Sequence, residues 1–404
     1  MRFEKSLTAK HSLLQSCFWM NFCCCLTYAA FYMQSVGYSN TSLGIIVALG
    51  NIFGAILSPY LTSLVSKGLL GNLASATLSL AVQLACLVIL VLTDKVCMAF
   101  SSAYVVLIAF CYPSNSLDLD LYAECLEMGV HVDFGIARGM GSAGFVFISL
   151  VLGIVTGRFP ARSVAVVGMC VVVLQILAHV IFMSSFNRYR REGAVVRRED
   201  YPEEKATGLL QFAFTYGRFT VMILGIIVML SGFRIGSSYL VNMVRHVGGD
   251  SRAFSMITSY GAAIEIPMMI LCSWAIRKFR PATVILVSFI FFALKMFLFA
   301  VSASVPFLYF AISFHGPSYA VYSAAIVPFV SQIMPAKDSP VAQSLVFTAL
   351  TVSYVIGSVT GGIMLDHLAV PTVMFICGCV CVLGALIAAS QVISLKKGRR
   401  LKAA

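Results

Sequence analysis

A small set of ionisable side chains lies inside long apolar stretches of this sequence, where a charge is costly unless it is paired or faces a cavity. These side chains are Asp118, Asp120, Glu124, Arg138, Arg234, Glu265, Lys295 and His315. Carboxylates, histidine and buried cations in such places typically bind a polar solute or carry a proton. Arg234 also has a glycine two residues away on each side, which is consistent with a kinked helix that lines a pathway.

Glu265 is the leading candidate for a proton carrier in the second half of the chain. It lies two residues before Pro267 in an otherwise apolar stretch, and desolvation there favours its neutral form. Lys295 and His315, one on each of the next two apolar stretches, are candidate partners. His315 precedes a Gly-Pro pair, where a helix can loosen and expose its carbonyl groups to a cavity. A buried, hydrogen-bonded structural histidine is the alternative interpretation.

Asp120 and Arg138 are candidates for a pair in the first half. They are equally far in sequence from Gly129, which marks a predicted helix-to-helix turn. With a rise of 1.5 Å per residue, both lie about 13 Å above that turn, so antiparallel helices bring them to the same depth. We expect them to form either a substrate-binding or coupling pair that opens and closes, or a structural ion pair. Asp118 projects roughly 160° away from Asp120 and is a poorer partner for Arg138.

The composition identifies the elements that must hold these side chains. Of the 404 residues, 60% are hydrophobic and 11% are charged, whereas soluble domains have about 25% charged residues. A soluble globular chain is therefore excluded, and long continuous apolar runs exclude a lipid-facing β-barrel. We predict an all-α integral membrane protein in the lipid bilayer. Its twelve transmembrane helices are predicted at 12–34, 41–66, 70–93, 96–126, 134–157, 163–186, 217–245, 252–276, 281–303, 305–333, 339–365 and 369–394.

The net charge of +12 indicates topology rather than a nucleic-acid partner. Most Lys and Arg residues fall at the N-terminus, in even-numbered loops and in the C-terminal tail, so the positive-inside rule places both termini in the cytoplasm. A long polar stretch follows the sixth helix and predicts a linker between two six-helix halves. The predicted N-terminal bundle, cytoplasmic linker, C-terminal bundle and basic tail span 1–186, 187–216, 217–394 and 395–404. Two such halves are typical of transporters with a substrate site near the bilayer midplane.

Signatures of other chemistry are missing from the sequence. It contains no Walker motif, no HExxH and no GxSxG, and its GxGxxG pattern at 139–144 lies inside a predicted apolar helix, where the small residues allow close helix packing. The 13 cysteines lie in or beside apolar stretches, as expected of small packing residues. We therefore expect no cofactor, no metal and no enzymatic activity.

The sequence resembles the lactose-permease-like branch of the major facilitator superfamily, which comprises oligosaccharide and nucleoside proton symporters. The likeness covers nearly the whole chain, and it is carried by Phe18-Trp19-Met20, by Asp133-Phe134-Gly135-Ile136-Ala137-Arg138, and by the spacing of Lys295 and His315. It implies twelve helices around a central cavity and transport coupled to protons by alternating access. It also implies that Asp120 and Arg138 bind substrate, with Phe145 at the position of a sugar-stacking tryptophan.

Departures from that family pattern shift the expected roles. Ser318 replaces the glutamate that carries the proton in lactose permease, Arg234 replaces an aspartate, and Glu265 is displaced by one helical turn. Lactose is therefore not the expected substrate, and the protonation role shifts to Glu265 or Asp120.

The resulting hypothesis is a monomeric secondary active transporter of the inner or plasma membrane of a bacterium. Its small-molecule substrate is a polar organic solute, sugar-like or nucleoside-like, and protons are the coupling ion. Asp120, Arg138, Phe145 and Arg234 are the predicted substrate-binding residues. Glu265, Lys295 and His315 are the predicted proton-coupling residues. Proton-coupled efflux of amphipathic compounds is the alternative, and a membrane-embedded enzyme or a nontransporting sensor is the alternative of another class.

Overall fold

The chain is mostly helical in the part that the computed structural model describes, which comprises residues 2–127, 132–191, 209–335 and 338–402. Within these ranges there is no β-strand. Eleven of the described helical segments are long and apolar enough to cross a membrane. The predicted all-α membrane fold is confirmed, because each predicted span coincides with one helix or with consecutive helical segments.

Two compact units divide the chain, Met1–Tyr201 and Pro202–Ala404. The division falls inside the predicted linker, most of which lies outside the described residues. The helices of the first unit are α1 (Arg2–Phe22), α2 (Ala29–Val36), α3 (Asn40–Ser66), α4 (Asn72–Thr93), α5 (Met98–Glu127), α6 (Phe134–Thr156) and α7 (Ser163–Arg191). Those of the second unit are α8 (Leu209–Thr215), α9 (Gly217–Ser238), α10 (Leu240–His246), α11 (Ser251–Lys278), α12 (Pro281–Ala300), α13 (Val305–Ser313), α14 (Val321–Ile333), α15 (Ser339–His367) and α16 (Val370–Lys402).

The ends of two predicted segments differ from the structure. The first helix begins at Arg2 rather than at position 12, and a π-helical turn at Cys23–Thr27 separates α1 from α2. The last helix continues to Lys402 instead of ending at 394. Hydropathy finds the apolar part of a helix, whereas a helix can continue into polar sequence that nothing interrupts.

A buried network of amide side chains holds four helices of the first unit together. Asn21 of α1 donates hydrogen bonds to the Oε1 atoms of Gln83 and Gln175, at 2.8 and 3.1 Å. Gln83 in turn donates to the carbonyl oxygen of Phe110, at 3.0 Å. Because water cannot replace these partners inside an apolar bundle, the network fixes α1, α4, α5 and α7 in one register.

Gly144 allows α6 to approach α1 closely. A Cβ atom at this position would lie 2.8 Å from the carbonyl oxygen and 3.1 Å from the Cα atom of Ser16. The Ser16 hydroxyl donates a hydrogen bond of 2.9 Å to the carbonyl oxygen of Met140 on α6. This close contact fixes the helix that carries Arg138 against the helix that carries Trp19.

Gly144→Ala is expected to destabilise the protein by about 1–3 kcal/mol, because the added methyl group overpacks a contact made by backbone atoms. Gly139→Ala is the matched control. No atom lies within 4 Å of a Cβ built at Gly139, and Ala favours a helix over Gly by about 1 kcal/mol. The unfolding temperatures of the two variants in detergent should therefore shift in opposite directions from that of the unmodified protein. A Gly144→Ala variant that unfolds at the same temperature as Gly139→Ala would contradict the close contact.

Two predicted spans of the second unit are interrupted. The span 217–245 consists of α9 and α10, which meet at Tyr239. The span 305–333 consists of α13 and α14, joined by a π-helical turn at Gly316–Ala320. Pro317 has no backbone N–H to donate, which weakens regular α-helical bonding at this place. The expected loosening of the helix after His315 is confirmed.

Candidate functional site

Three ionisable side chains of the second unit form a continuous chain of polar contacts, which we call the Glu265 cluster. The Nε2 atom of His315 lies 2.8 Å from the Oε1 atom of Glu265. The Nδ1 atom of His315 lies 3.0 Å from the Nζ atom of Lys295. Glu265 belongs to α11, Lys295 to α12, and His315 immediately precedes the π-helical turn. The structure therefore brings together the three residues that the sequence predicted as partners.

The chemistry of its neighbours fixes the proton on His315. When Lys295 is protonated, its ammonium group can only donate, so Nδ1 accepts. The ionised Glu265 carboxylate is only an acceptor, so Nε2 must carry the proton and donate. The histidine in this arrangement is neutral, and it connects one cation to one carboxylate. The Glu265 and His315 side chains remain 14% and 16% exposed, so a proton can enter the cluster at the carboxylate.

Phe233 of α9 forms an aromatic wall beside the cluster. Its ring is stacked on the His315 ring, with a centroid separation of 5.7 Å and an angle of 13°. The Nζ atom of Lys295 lies 4.7 Å from the centroid of the Phe233 ring. Phe292 packs edge-on against the same ring at 4.9 Å. Sequence reasoning missed Phe233, because one aromatic residue among many in an apolar helix carries no distinguishing pattern.

Arg234, the residue after Phe233, lies in an aromatic cage. Its guanidinium carbon is 3.9 Å from the ring centroid of Tyr354 and 5.0 Å from that of Tyr319. Its Nη2 atom donates to the Tyr319 hydroxyl at 3.3 Å, and the residue is only 6% exposed. Gly357 makes room for the cage, because a Cβ there would lie 3.0 Å from the Cβ of Arg234. The tyrosines were not predicted, since nothing in the sequence relates three separate helices.

In the first unit the predicted Asp120–Arg138 ion pair is not formed between these described residues. The Arg138 guanidinium carbon instead lies 4.2 Å from the ring centroid of Trp19. Its Nη1 atom donates to the Ser142 hydroxyl, one turn further along α6, at 3.3 Å. Phe145 follows on the same face of α6. Two side chains at the same depth on neighbouring helices meet only if both also face each other. The sequence did not determine how each helix is rotated about its axis.

A separate buried ion pair joins Asp118 to His179. The Nε2 atom of His179 lies 2.8 Å from the Oδ1 atom of Asp118, and both side chains are fully buried. The Nδ1 atom of His179 lies 3.0 Å from the carbonyl oxygen of Gln175. Both ring nitrogens face oxygen atoms, so an imidazole with two protons would place one positive charge beside an ionised Asp118 carboxylate. His11 contacts the same place, with Nε2 3.3 Å from the Asp118 carbonyl oxygen. Sequence reasoning considered Asp118 only as a partner of Arg138 and did not consider His179.

Three features together define a multi-span membrane transporter fold. They are the long apolar helices, the interrupted helix beside a buried titratable cluster, and the second set of charged side chains inside spans. The sequence model described as "MFS_1 like family" matches residues 15–390. The chain therefore belongs to the MFS_1-like family, and the expected membership of the major facilitator superfamily is confirmed.

Solved structures show the same fold. A crystal structure of the nucleoside transporter NupG has a TM-score of 0.77 and 15% identity, and the match covers 97% of this chain and 99% of that one. A single-substitution mutant of NupG gives a TM-score of 0.78 at 15% identity, with 96% and 99% covered. A bacterial homologue of the human lysosomal transporter Spinster, in an inward-facing and unoccupied conformation, gives 0.64 at 13% identity, with 97% and 94% covered. No curated protein sequence matches this chain.

Proposed function

We propose that the protein is a secondary active transporter that carries a small polar organic solute, sugar-like or nucleoside-like, together with a proton. The observation that carries this proposal is the Glu265 cluster, because a carboxylate, a neutral histidine and a lysine are joined inside membrane spans. Ionisable residues at such places are retained for pathways and proton relays rather than for packing. Family membership supports transport, and the likeness to a nucleoside transporter supports this class of solute.

Glu265 is the proton-binding group in the proposed mechanism. When it is ionised, its charge offsets that of Lys295 through His315. When it takes up a proton, the lysine loses its counter-charge and the attraction among α11, α12 and the π-helical turn weakens. Protonation thus changes the relative free energy of conformations that differ in these contacts, which is what alternating access requires.

Candidate solute-binding groups are proposed for each unit by itself. In the first unit these are Arg138 and Phe145 on α6, and Asp120, which is half-buried on α5. Trp19 adds an indole N–H that has no hydrogen-bond partner among the described residues. In the second unit Arg234 contributes a guanidinium group. We further propose that the protein acts as a monomer in the cell membrane with both termini in the cytoplasm, in accord with the distribution of basic residues.

The proposal is tested with the purified full-length protein in proteoliposomes. Radiolabelled sugars and nucleosides are supplied outside, and a gradient of one pH unit is imposed with the acidic side outside. Symport of one proton allows up to about 10-fold accumulation of a neutral solute under these conditions. A protonophore should abolish the accumulation. Equilibration of every solute without accumulation, or formation of a product without any gradient, would contradict the proposal.

A further inference from the structure

The connection between α11 and α12 combines three cations with two aromatic side chains. Arg277 and Lys278 lie in the last turn of α11, and Arg280 directly precedes the first residue of α12. All three basic side chains are exposed. Trp274 and Phe279 are each 49% exposed. We call these five residues the basic turn.

The sequence around the basic turn supplies no negative charge. Residues 266–337 contain no Asp or Glu. None of the three basic residues forms an ion pair with another described residue. The basic turn therefore presents a net positive charge at its exposed surface.

Helix electrostatics explain only part of this arrangement. The carbonyl end of α11 attracts the charges of Arg277 and Lys278. Arg280 lies instead at the start of α12, where the helix dipole disfavours a cation. An anion at this place is attracted both by the guanidinium group and by the N-terminal end of α12.

Aromatic contacts hold the Lys278 ammonium group at the edge of the turn. Its Nζ atom lies 5.0 Å from the ring centroid of Trp274 and 5.7 Å from that of Phe279. The two rings meet edge-on, with centroids 6.5 Å apart. Tryptophan side chains in membrane proteins are enriched at the level of the lipid headgroups. The contacts therefore indicate that the cations of the basic turn lie at that level.

One face of α11 changes from apolar to charged toward the basic turn. Ile270, Trp274 and Lys278 follow one another at intervals of four residues, so they lie along the same side of the helix. Ile270 is 70% exposed and apolar, Trp274 is amphipathic, and Lys278 is charged. A phospholipid has the same order of groups, from acyl chain to phosphate. Trp274 is nine residues from Glu265, which turns this face about 180° away from the Glu265 cluster.

We propose that the basic turn binds the phosphate group of an anionic phospholipid whose acyl chains lie along α11. The phosphate oxygens accept hydrogen bonds from Arg277, Lys278 and Arg280. A free phosphate ion does not use the apolar and aromatic part of this face, so a lipid is the occupant that fits all of it. In the proposed topology the lipid belongs to the cytoplasmic leaflet, which carries anionic lipids. The site is separate from the Glu265 cluster and does not depend on which solute is transported.

Fluorescence of Trp274 tests the proposal directly. The chain has two tryptophans, so Trp274 is the only one left in Trp19→Phe. This variant is reconstituted in phosphatidylcholine vesicles that contain a minor fraction of either phosphatidylglycerol or phosphatidylcholine with brominated, quenching acyl chains. Each basic residue near an anionic headgroup favours it by about fivefold. We therefore expect brominated phosphatidylglycerol to quench Trp274 with an association constant at least about fivefold higher than that of brominated phosphatidylcholine.

Variants in the same background locate the effect. Arg280→Gln should lower the preference for phosphatidylglycerol by about fivefold, whereas Arg280→Lys should retain most of it. Lys67→Gln is the matched control, because it removes an exposed cation from another loop that the proposed topology places on the same side of the membrane. Equal quenching by the two brominated lipids, an equal loss in Lys67→Gln, or displacement of the lipid by inorganic phosphate would overturn the proposal.

Thermal unfolding in detergent provides a second test that does not depend on Trp19→Phe. A lipid that binds the folded protein raises its melting temperature. Phosphatidylglycerol should raise the melting temperature of the unmodified full-length protein more than phosphatidylcholine does, and Arg280→Gln should reduce this difference. A difference that Arg280→Gln leaves unchanged, or the absence of any difference, would contradict the lipid site.

Discussion

Glu265→Gln is expected to abolish proton-driven accumulation of the solute in proteoliposomes and to leave exchange of labelled for unlabelled solute intact. Glutamine keeps the size and a hydrogen-bonding oxygen of the side chain near His315, but it cannot take up or release a proton. Under a gradient of one pH unit, the accumulation ratio should fall from up to about 10 to about 1. Exchange needs no net proton movement, so it continues with the side chain held in its neutral form.

The proposed mechanism also predicts the direction in which solute uptake changes with pH. If the protonated carboxyl group is the form that loads solute, uptake by the unmodified protein should fall as the external pH rises. Exchange by Glu265→Gln should not depend on the titration of this group. Asp120→Asn is the matched variant, because Asp120 is the other carboxylate to which the departures from the family pattern shift the protonation role. Normal pH-dependent accumulation by Glu265→Gln, with its loss in Asp120→Asn, would assign the proton to the first unit instead.

His179→Leu is expected to destabilise the protein by about 3–5 kcal/mol, because it leaves the fully buried Asp118 carboxylate without its counter-charge. The Nε2–Oδ1 contact of 2.8 Å joins two side chains that are both fully buried. Unfolding of the variant in detergent, followed by temperature or denaturant, measures the loss. Transport is not the readout here, since neither residue belongs to the proposed substrate or proton site.

The second half of this experiment is the double variant Asp118→Asn, His179→Leu. Removing both charges removes the unpaired carboxylate, so the double variant should be more stable than His179→Leu alone. The double-mutant cycle then gives a favourable coupling energy between the two side chains. Additive losses would show that the two charges do not interact, and would contradict the buried ion pair.

The residues of the Glu265 cluster could be predicted from the sequence, whereas the aromatic groups around the cluster could not. An ionisable residue in an apolar stretch is conspicuous, and three such residues on successive helices form a short set of candidates. Phe233, Tyr319 and Tyr354 have no such contrast with their surroundings, because aromatic residues are ordinary in membrane helices. Their function depends on which helix faces contact one another, and this is a property of packing.

The two pairs of the first unit illustrate the same distinction. Depth along a helix follows from counting residues, so Asp120 and Arg138 were expected to lie at one level. Rotation about the helix axis and the identity of the neighbouring helix do not follow from counting. In the fold, Arg138 faces Trp19, and Asp118 pairs with His179. Nothing in the sequence connected Asp118 with the helix that carries His179.

By itself, the sequence determined that this protein is a bundle of membrane-spanning helices, because burying each backbone polar group in lipid requires long apolar helices. It also determined which few charged residues needed an explanation, since each is costly in an apolar stretch. Only the tertiary structure decided which of them meet. Contacts across helices depend on rotation, tilt and local interruptions such as Gly316–Ala320, and these are set by the packing of all neighbouring side chains together.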